Sequence, residues 1–155
     1  MAQIPKPLSF ESHMPATFNK LGLRFTYPEN WTVDESEALE GAAAVTVFSP
    51  GGSFWSVSLH SKETPARDLV RSAVKALKQT YEELDAEEVS EVLADKQLQG
   101  SDVNFYCLDL TNTAQIRAFA APNFHVVVLC QADDREFEAI ADVFKAMTVS
   151  LLQNM

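Results

Sequence analysis

Residues 124–152 read FHVVVLCQADDREFEAIADVFKAMTVSLL, and the fold turns on this stretch. Phe124 to Cys130 are apolar at every position except His125, the pattern of a strand covered on both faces. The period then changes. Asp133 and Glu136 stand at the spacing of a helix N-cap and its third helical residue. Phe137, Ile140, Ala141, Phe144, Met147 and Leu151 follow at helical spacing and form one apolar stripe. A buried central strand, a tight turn and a long amphipathic helix laid back over a sheet are expected.

The neighbouring segments supply the rest of that sheet. Val103–Thr111 and Ala114–Ala120 read as strands joined at Asn112-Thr113, with turns at Gly100-Ser101-Asp102 and Pro122-Asn123. Ala43–Phe48 and Phe54–His60 flank Ser49-Pro50-Gly51-Gly52-Ser53, a strong hairpin signal. Thr17–Lys20, Leu23–Tyr27 and a strand opened by Trp31 precede them, and Glu35–Gly41 is a polar connection. A second helix is expected from a Thr64 cap, with Pro65 in its first turn, to about Leu84. Val70, Val74, Leu77, Tyr81 and Leu84 form its apolar stripe, and Arg67, Arg71, Lys75 and Lys78 form a basic row on another face. An acidic stretch runs from Glu82 to Glu91, and Val89–Leu93 is read as a strand.

Consecutive hairpins with two inserted helices define the α+β class: a mainly antiparallel sheet of about six or seven strands flanked by two long helices. The doubly covered central strand favours an α/β/α sandwich. Residues 1–16, with Pro5, Pro7 and Pro15, read as an extended arm touching the surface through Ile4, Leu8 and Phe10. Residues 17–155 read as a single domain, as a chain of 155 residues allows.

Composition narrows the function classes. Twenty-two acids against 12 bases give a formal charge of −10, which repels nucleic acid and anionic lipid. No apolar run approaches the roughly 18 residues of a membrane helix, so no membrane insertion is expected. The N-terminal residues lack the apolar core of an export signal, so a cytoplasmic placement is expected. Cys107 and Cys130 each sit in an apolar run and read as free buried thiols, a bridge between neighbouring strands being the alternative.

The segment Phe25-Thr26-Tyr27-Pro28-Glu29-Asn30-Trp31, in this order of elements, resembles the PsbP-like superfamily. Gly100 ahead of the long meander, and Phe144 with Ser150-Leu151 in the final helix, add to the likeness, which covers about residues 17–152. The superfamily includes photosystem II proteins of the thylakoid lumen, a Ran-binding nuclear-transport factor and bacterial DcrB-type domains, some of them effector chaperones. The resemblance implies a sandwich fold without shared catalytic residues, and hence a role in binding or assembly.

The residues themselves point the same way. His13, His60 and His125 have no metal-ligand spacing, so neither metal nor cofactor is expected. His60 shares a strand face with Ser56 and Ser58, but no orienting carboxylate adjoins them, so no catalytic residue is assigned. Gly51-Gly52 lacks a phosphate loop's spacing. Asp133, Asp134, Glu136 and Glu138 are what a helix N-terminus favours, without EF-hand spacing. The basic row Arg67, Arg71, Lys75 and Lys78 is the candidate contact surface for another protein, against the plainer reading of a solvated face. The acidic segment Glu82–Glu91 is a second candidate. The third is the aromatic group Phe25, Tyr27, Trp31, Phe54 and Trp55, where an exposed Trp31 or Trp55 would mark a contact and buried ones a core. The expected function is a non-enzymatic protein-binding accessory or chaperone-like domain. The alternative is a small-molecule or lipid module with a pocket between sheet and helix.

Overall fold

The computed structural model describes residues 15–35 and 43–155. The arm assigned to residues 1–16 therefore lies outside the described residues except for Pro15 and Ala16, as do His13 and the polar connection beyond Glu35. The strands are β1 (Pro15–Lys20), β2 (Leu23–Pro28), β3 (Thr32–Asp34), β4 (Ala44–Phe48), β5 (Phe54–His60), β6 (Leu84–Leu93), β7 (Lys96–Cys107), β8 (Leu110–Ala120) and β9 (His125–Asp133). The helices are α1 (Ala66–Thr80) and α2 (Asp134–Gln153).

β1 and β2 form a separate hairpin, and the other strands make one seven-stranded antiparallel sheet ordered β3-β4-β5-β9-β8-β7-β6. β9 is its middle strand, as its sequence demanded. Val126, Val128 and Cys130 point into the larger core beneath α2, and Val127 and Leu129 into the smaller one beneath α1. Alternation along β9 thus divides one strand between two cores. The α2 layer is not helix alone: the β1–β2 hairpin joins it, with Phe18, Leu23 and Phe25 in the same core. The Thr26 amide donates to Ser150 Oγ at 2.8 Å and ties that hairpin to α2.

α2 starts where the sequence placed it. Asp133 Oδ1 accepts the Glu136 amide at 3.0 Å, satisfying one of the donors that a helix N-terminus leaves free. No turn intervenes, since Asp133 both ends β9 and caps α2. The Glu136 carboxylate does not close the box on Asp133. It accepts from Ser49 Oγ at 2.7 Å and so fastens the β4–β5 turn to the helix.

Three sequence expectations are corrected. α1 ends at Thr80, with Tyr81 already extended, so Leu84 opens β6 instead of closing the helix. Tyr81 still reaches the core by stacking on Phe105 at 4.1 Å. Thr64 makes no side-chain cap; Pro65 occupies that position. Gly100 is not a turn residue but lies inside β7, opposite Arg117 of β8. The real turns are Ala94-Asp95 and Leu108-Asp109, each with positive φ at both residues, the geometry of a two-residue hairpin loop.

Candidate functional site

α1 turns Val70 into the core, with Leu69, Ala73, Val74 and Leu77 packed partly against the sheet. Steps of four, four and three residues leave Arg67, Arg71, Lys75 and Lys78 exposed along its length. All four border one groove between α1 and the β6–β7 hairpin. Its wider part, about 300 Å³, has Val70, Val74 and Ala86 as an apolar floor and Arg71, Lys75 and Lys78 as a rim. Arg67 borders the adjoining hollow of about 250 Å³, which shares Val70 and Glu88 with it. Glu88 on β6 is the countercharge, 4.0 Å from Arg71 across exposed surface, a pair of little energetic weight. The acidic segment Glu82–Glu91 largely coincides with β6, whose outer side is the edge of the sheet.

Trp31 and Trp55 are in the core, not on the surface. Trp55 is fully buried and its Nε1–H donates to Thr148 Oγ1 at 3.0 Å, while Trp31 meets the Phe144 ring edge-on at 5.9 Å. Phe25 packs on Trp55 at 4.8 Å. Phe54 points to the other face, where it meets Phe48. The aromatic group is therefore packing, and the condition under which either tryptophan would mark a contact is not met.

Between the sheet and α2 lies a cleft of about 230 Å³ lined by residues including Arg117, Val128, Cys130, Phe137 and Phe144. Arg117 is nearly buried and reaches over β7, with Nε on Glu91 of β6 and Nη2 2.8 Å from Asp102 of β7. Burial by itself would lower its pKa, but the two carboxylates outweigh it and raise the value further. Gly100 makes that path available: a Cβ there would lie 2.8 Å from Arg117 Cδ and 2.1 Å from the Ile116 carbonyl oxygen. Burial pushes the Cys130 thiol up to about 12, despite the nearby Arg117 charge, so it stays protonated and unreactive at neutral pH.

His60 and Cys130 do not converge. Trp55 pairs with Cys130 beneath α2, and alternation along β5 turns His60 to the opposite face. There Ser58 Oγ lies 2.7 Å from His60 Nε2. What faces His60 across the strands is His125, not the carboxylate a triad uses to orient its imidazole. Burial and that second imidazole lower the His60 pKa. His125 is held by donating from Nδ1 to the Thr64 carbonyl at 2.6 Å. Among the described residues no cluster of three or more His, Cys, Asp or Glu could hold a metal ion, and no helix is long and apolar enough to cross a membrane. Cys107 and Cys130 are unpaired and point to opposite faces of the sheet.

No protein-family model matches the sequence, and no curated protein matches it. The architecture does have counterparts. Cyanobacterial PsbP from Synechocystis sp. PCC 6803 superposes with a TM-score of 0.61 over 88% of this chain and 90% of that one, at 12% identity. This chain has the PsbP-like fold. Protein PA94 of unknown function from Pseudomonas aeruginosa shares it over 90% of this chain and 96% of its own, with a TM-score of 0.53 and 9% identity. So does LpqN of Mycobacterium tuberculosis, involved in cell envelope biogenesis, with a TM-score of 0.50 over 90% and 91% at 10% identity. At such identities the PsbP-like likeness is one of fold, so the surface has to be read from this chain alone.

The basic row was legible from helical spacing; its groove was not, because the floor residue Ala86 arrives from β6. Arg117 was missed entirely. A single arginine in a strand gives no signal until topology sets Glu91, Asp102 and Gly100 beside it.

Proposed function

We propose that this chain is a non-enzymatic accessory domain, chaperone-like in kind, that docks an acidic segment of another protein along α1. The observation that carries the reading is the row Arg67, Arg71, Lys75 and Lys78, exposed beside an apolar-floored groove on a protein of net charge −10. Against that background a local cationic edge selects acidic partners and orients their approach, while apolar side chains seated on Val70, Val74 and Ala86 would supply the affinity. Ser58 and His60 are in hydrogen-bond contact, but His125 stands where an orienting carboxylate would be needed, and the Cys130 thiol is buried and protonated. Both support the non-enzymatic part, and the free thiols suit the reducing cytoplasm that belongs to the proposal.

The small-molecule alternative would use the cleft beneath α2. At about 230 Å³ it falls below the range of about 300 to 1,000 Å³ typical of ligand pockets, while the α1 groove, at about 300 Å³, only reaches the lower end of that range. The test compares capture from native extract by wild type and by Arg71→Glu/Lys75→Glu. The captured protein is identified by mass spectrometry, and its affinity is then measured with purified components. A partner whose affinity falls about tenfold or more in the double variant supports the proposal. A partner bound equally by both forms removes the basic row from it. A small molecule retained by the purified chain in native mass spectrometry would favour the cleft.

A further inference from the structure

The far end of the β7–β8 hairpin stands outside the rest of the sheet. β6 begins at Leu84 opposite Phe105, and β9 ends at Asp133 opposite Asn112. Beyond those points, among the described residues, Tyr106 pairs only with Thr111, and Cys107 only with Leu110. On this projecting tip Leu108 is 90% exposed, Tyr106 57% and Leu110 55%. Three large apolar side chains are exposed within five residues of one hairpin tip, a local concentration unlike the isolated exposed Leu that every protein carries. Alternation sets Tyr106 on one face and Leu110, opposite Cys107, on the other, while Tyr106 and Leu108 border the same hollow. The three exposed side chains contribute nothing to either core.

The ground around the tip is of one sign. A hollow of about 550 Å³ beside it is lined by Glu82, Glu83 and Asp109, with Tyr106, Leu108 and half-buried Cys107. A second, of about 570 Å³, is lined by Glu82, Glu83, Asp85 and Asp134, again with Tyr106. Every charged residue lining either hollow is an acid. An anionic membrane would be repelled by such a collar, and a second copy of the same tip would bring like charges together.

We propose that this hairpin tip is a second docking surface, independent of the α1 groove, that takes a basic segment of a protein partner with leucine-like side chains interleaved among its lysines or arginines. The apolar residues of that segment cover Tyr106 and Leu108, which border the acidic ground, and its cations enter the two acidic hollows. The apolar contact supplies most of the affinity and the acids set its sign.

The experiment titrates the 15N-labelled full chain with a short synthetic peptide alternating lysine and leucine. Peptides alternating lysine with serine and glutamate with leucine serve as controls. The expected result is amide shifts confined to residues 82–85 and 104–111. Affinity falls about tenfold in Leu108→Ser, as loss of a buried leucine predicts, and is largely lost in Glu82→Lys/Glu83→Lys. Both variants alter exposed positions, and an otherwise unchanged spectrum checks that each is folded. Shifts centred elsewhere, unchanged affinity in both variants, or equal binding of the lysine–serine peptide would overturn the proposal. So would insertion of the tip into phosphatidylcholine vesicles, or a dimer in sedimentation that Leu108→Ser dissolves.

Discussion

The two faces of the sheet are built differently. Beneath α2 the cover is a 20-residue helix plus the β1–β2 hairpin, and it buries Trp55, Phe25, Met147 and Leu151 completely. Beneath α1 the cover is a 15-residue helix in which only Val70 is fully buried, and its outer face carries the basic row. Stability and the proposed docking row thus lie on opposite sides. The face that holds the fold has little left to offer a partner, and the face that could meet a partner contributes less to folding.

The comparison can be broken most directly by truncating one side chain on each face. Trp55→Ala should cost about 3 to 5 kcal/mol, since it opens a cavity and leaves Thr148 without its donor. Val70→Ala, the matching change beneath α1, should cost about 1.5 kcal/mol from two lost methyl groups. Urea unfolding of both variants measures the difference, and equal costs would mean that the faces share the load. Gly100→Ala should cost about 1 to 3 kcal/mol, because the added methyl meets the Ile116 carbonyl oxygen. Adding Arg117→Ala should not restore the loss, since the nearest obstacle is backbone.

Acid sharpens the picture on the α1 side. His60 has a lowered pKa in the folded chain, so the unfolded chain binds its proton more readily. Its contribution is fully present above the ordinary value of 6.5 and is lost as pH falls from there toward the folded value. Thermal melts should show this acid-side loss in wild type and a smaller one in His60→Gln. The smallest effect belongs to Arg71→Glu/Lys75→Glu, whose unfolding free energy should stay within about 0.5 kcal/mol of wild type even if docking is abolished. A large loss would mean that the row holds α1 in place.

Much of this architecture was readable before any coordinates. The apolar run of β9, the stripe of α2 and the Asp133 cap each repeat one physical signal over many residues, and tertiary packing agreed with all of them. The β6–β7–β8 meander was harder. Ala94-Asp95 and Leu108-Asp109 lack the glycine or asparagine that usually marks a left-handed turn, so the turns were hidden inside apolar runs. Gly100 sent the opposite false signal: glycine marks either a turn or a close approach of another group, and here it is the second. β6 shows little apolar alternation because it is an edge strand with few buried positions. The basic row could be read from the helix, but the projecting Tyr106-Leu108-Leu110 tip could not. Its exposure follows from where the neighbouring strands stop.

That edge strand has a consequence for handling the protein. β6 is bonded to β7 along its whole length and, among the described residues, to no strand on its other side, and it carries Asp85, Glu87, Glu88 and Glu91. An open edge of this length is an invitation to intermolecular strand pairing, and a line of like charge is a common way to discourage it. Such a fence reaches only as far as the Debye length, about 10 Å at 0.1 M salt and about 3 Å at 1 M. Colloidal stability should therefore decline with added salt while the fold itself is untouched, and concentrated stocks should keep best in dilute buffer.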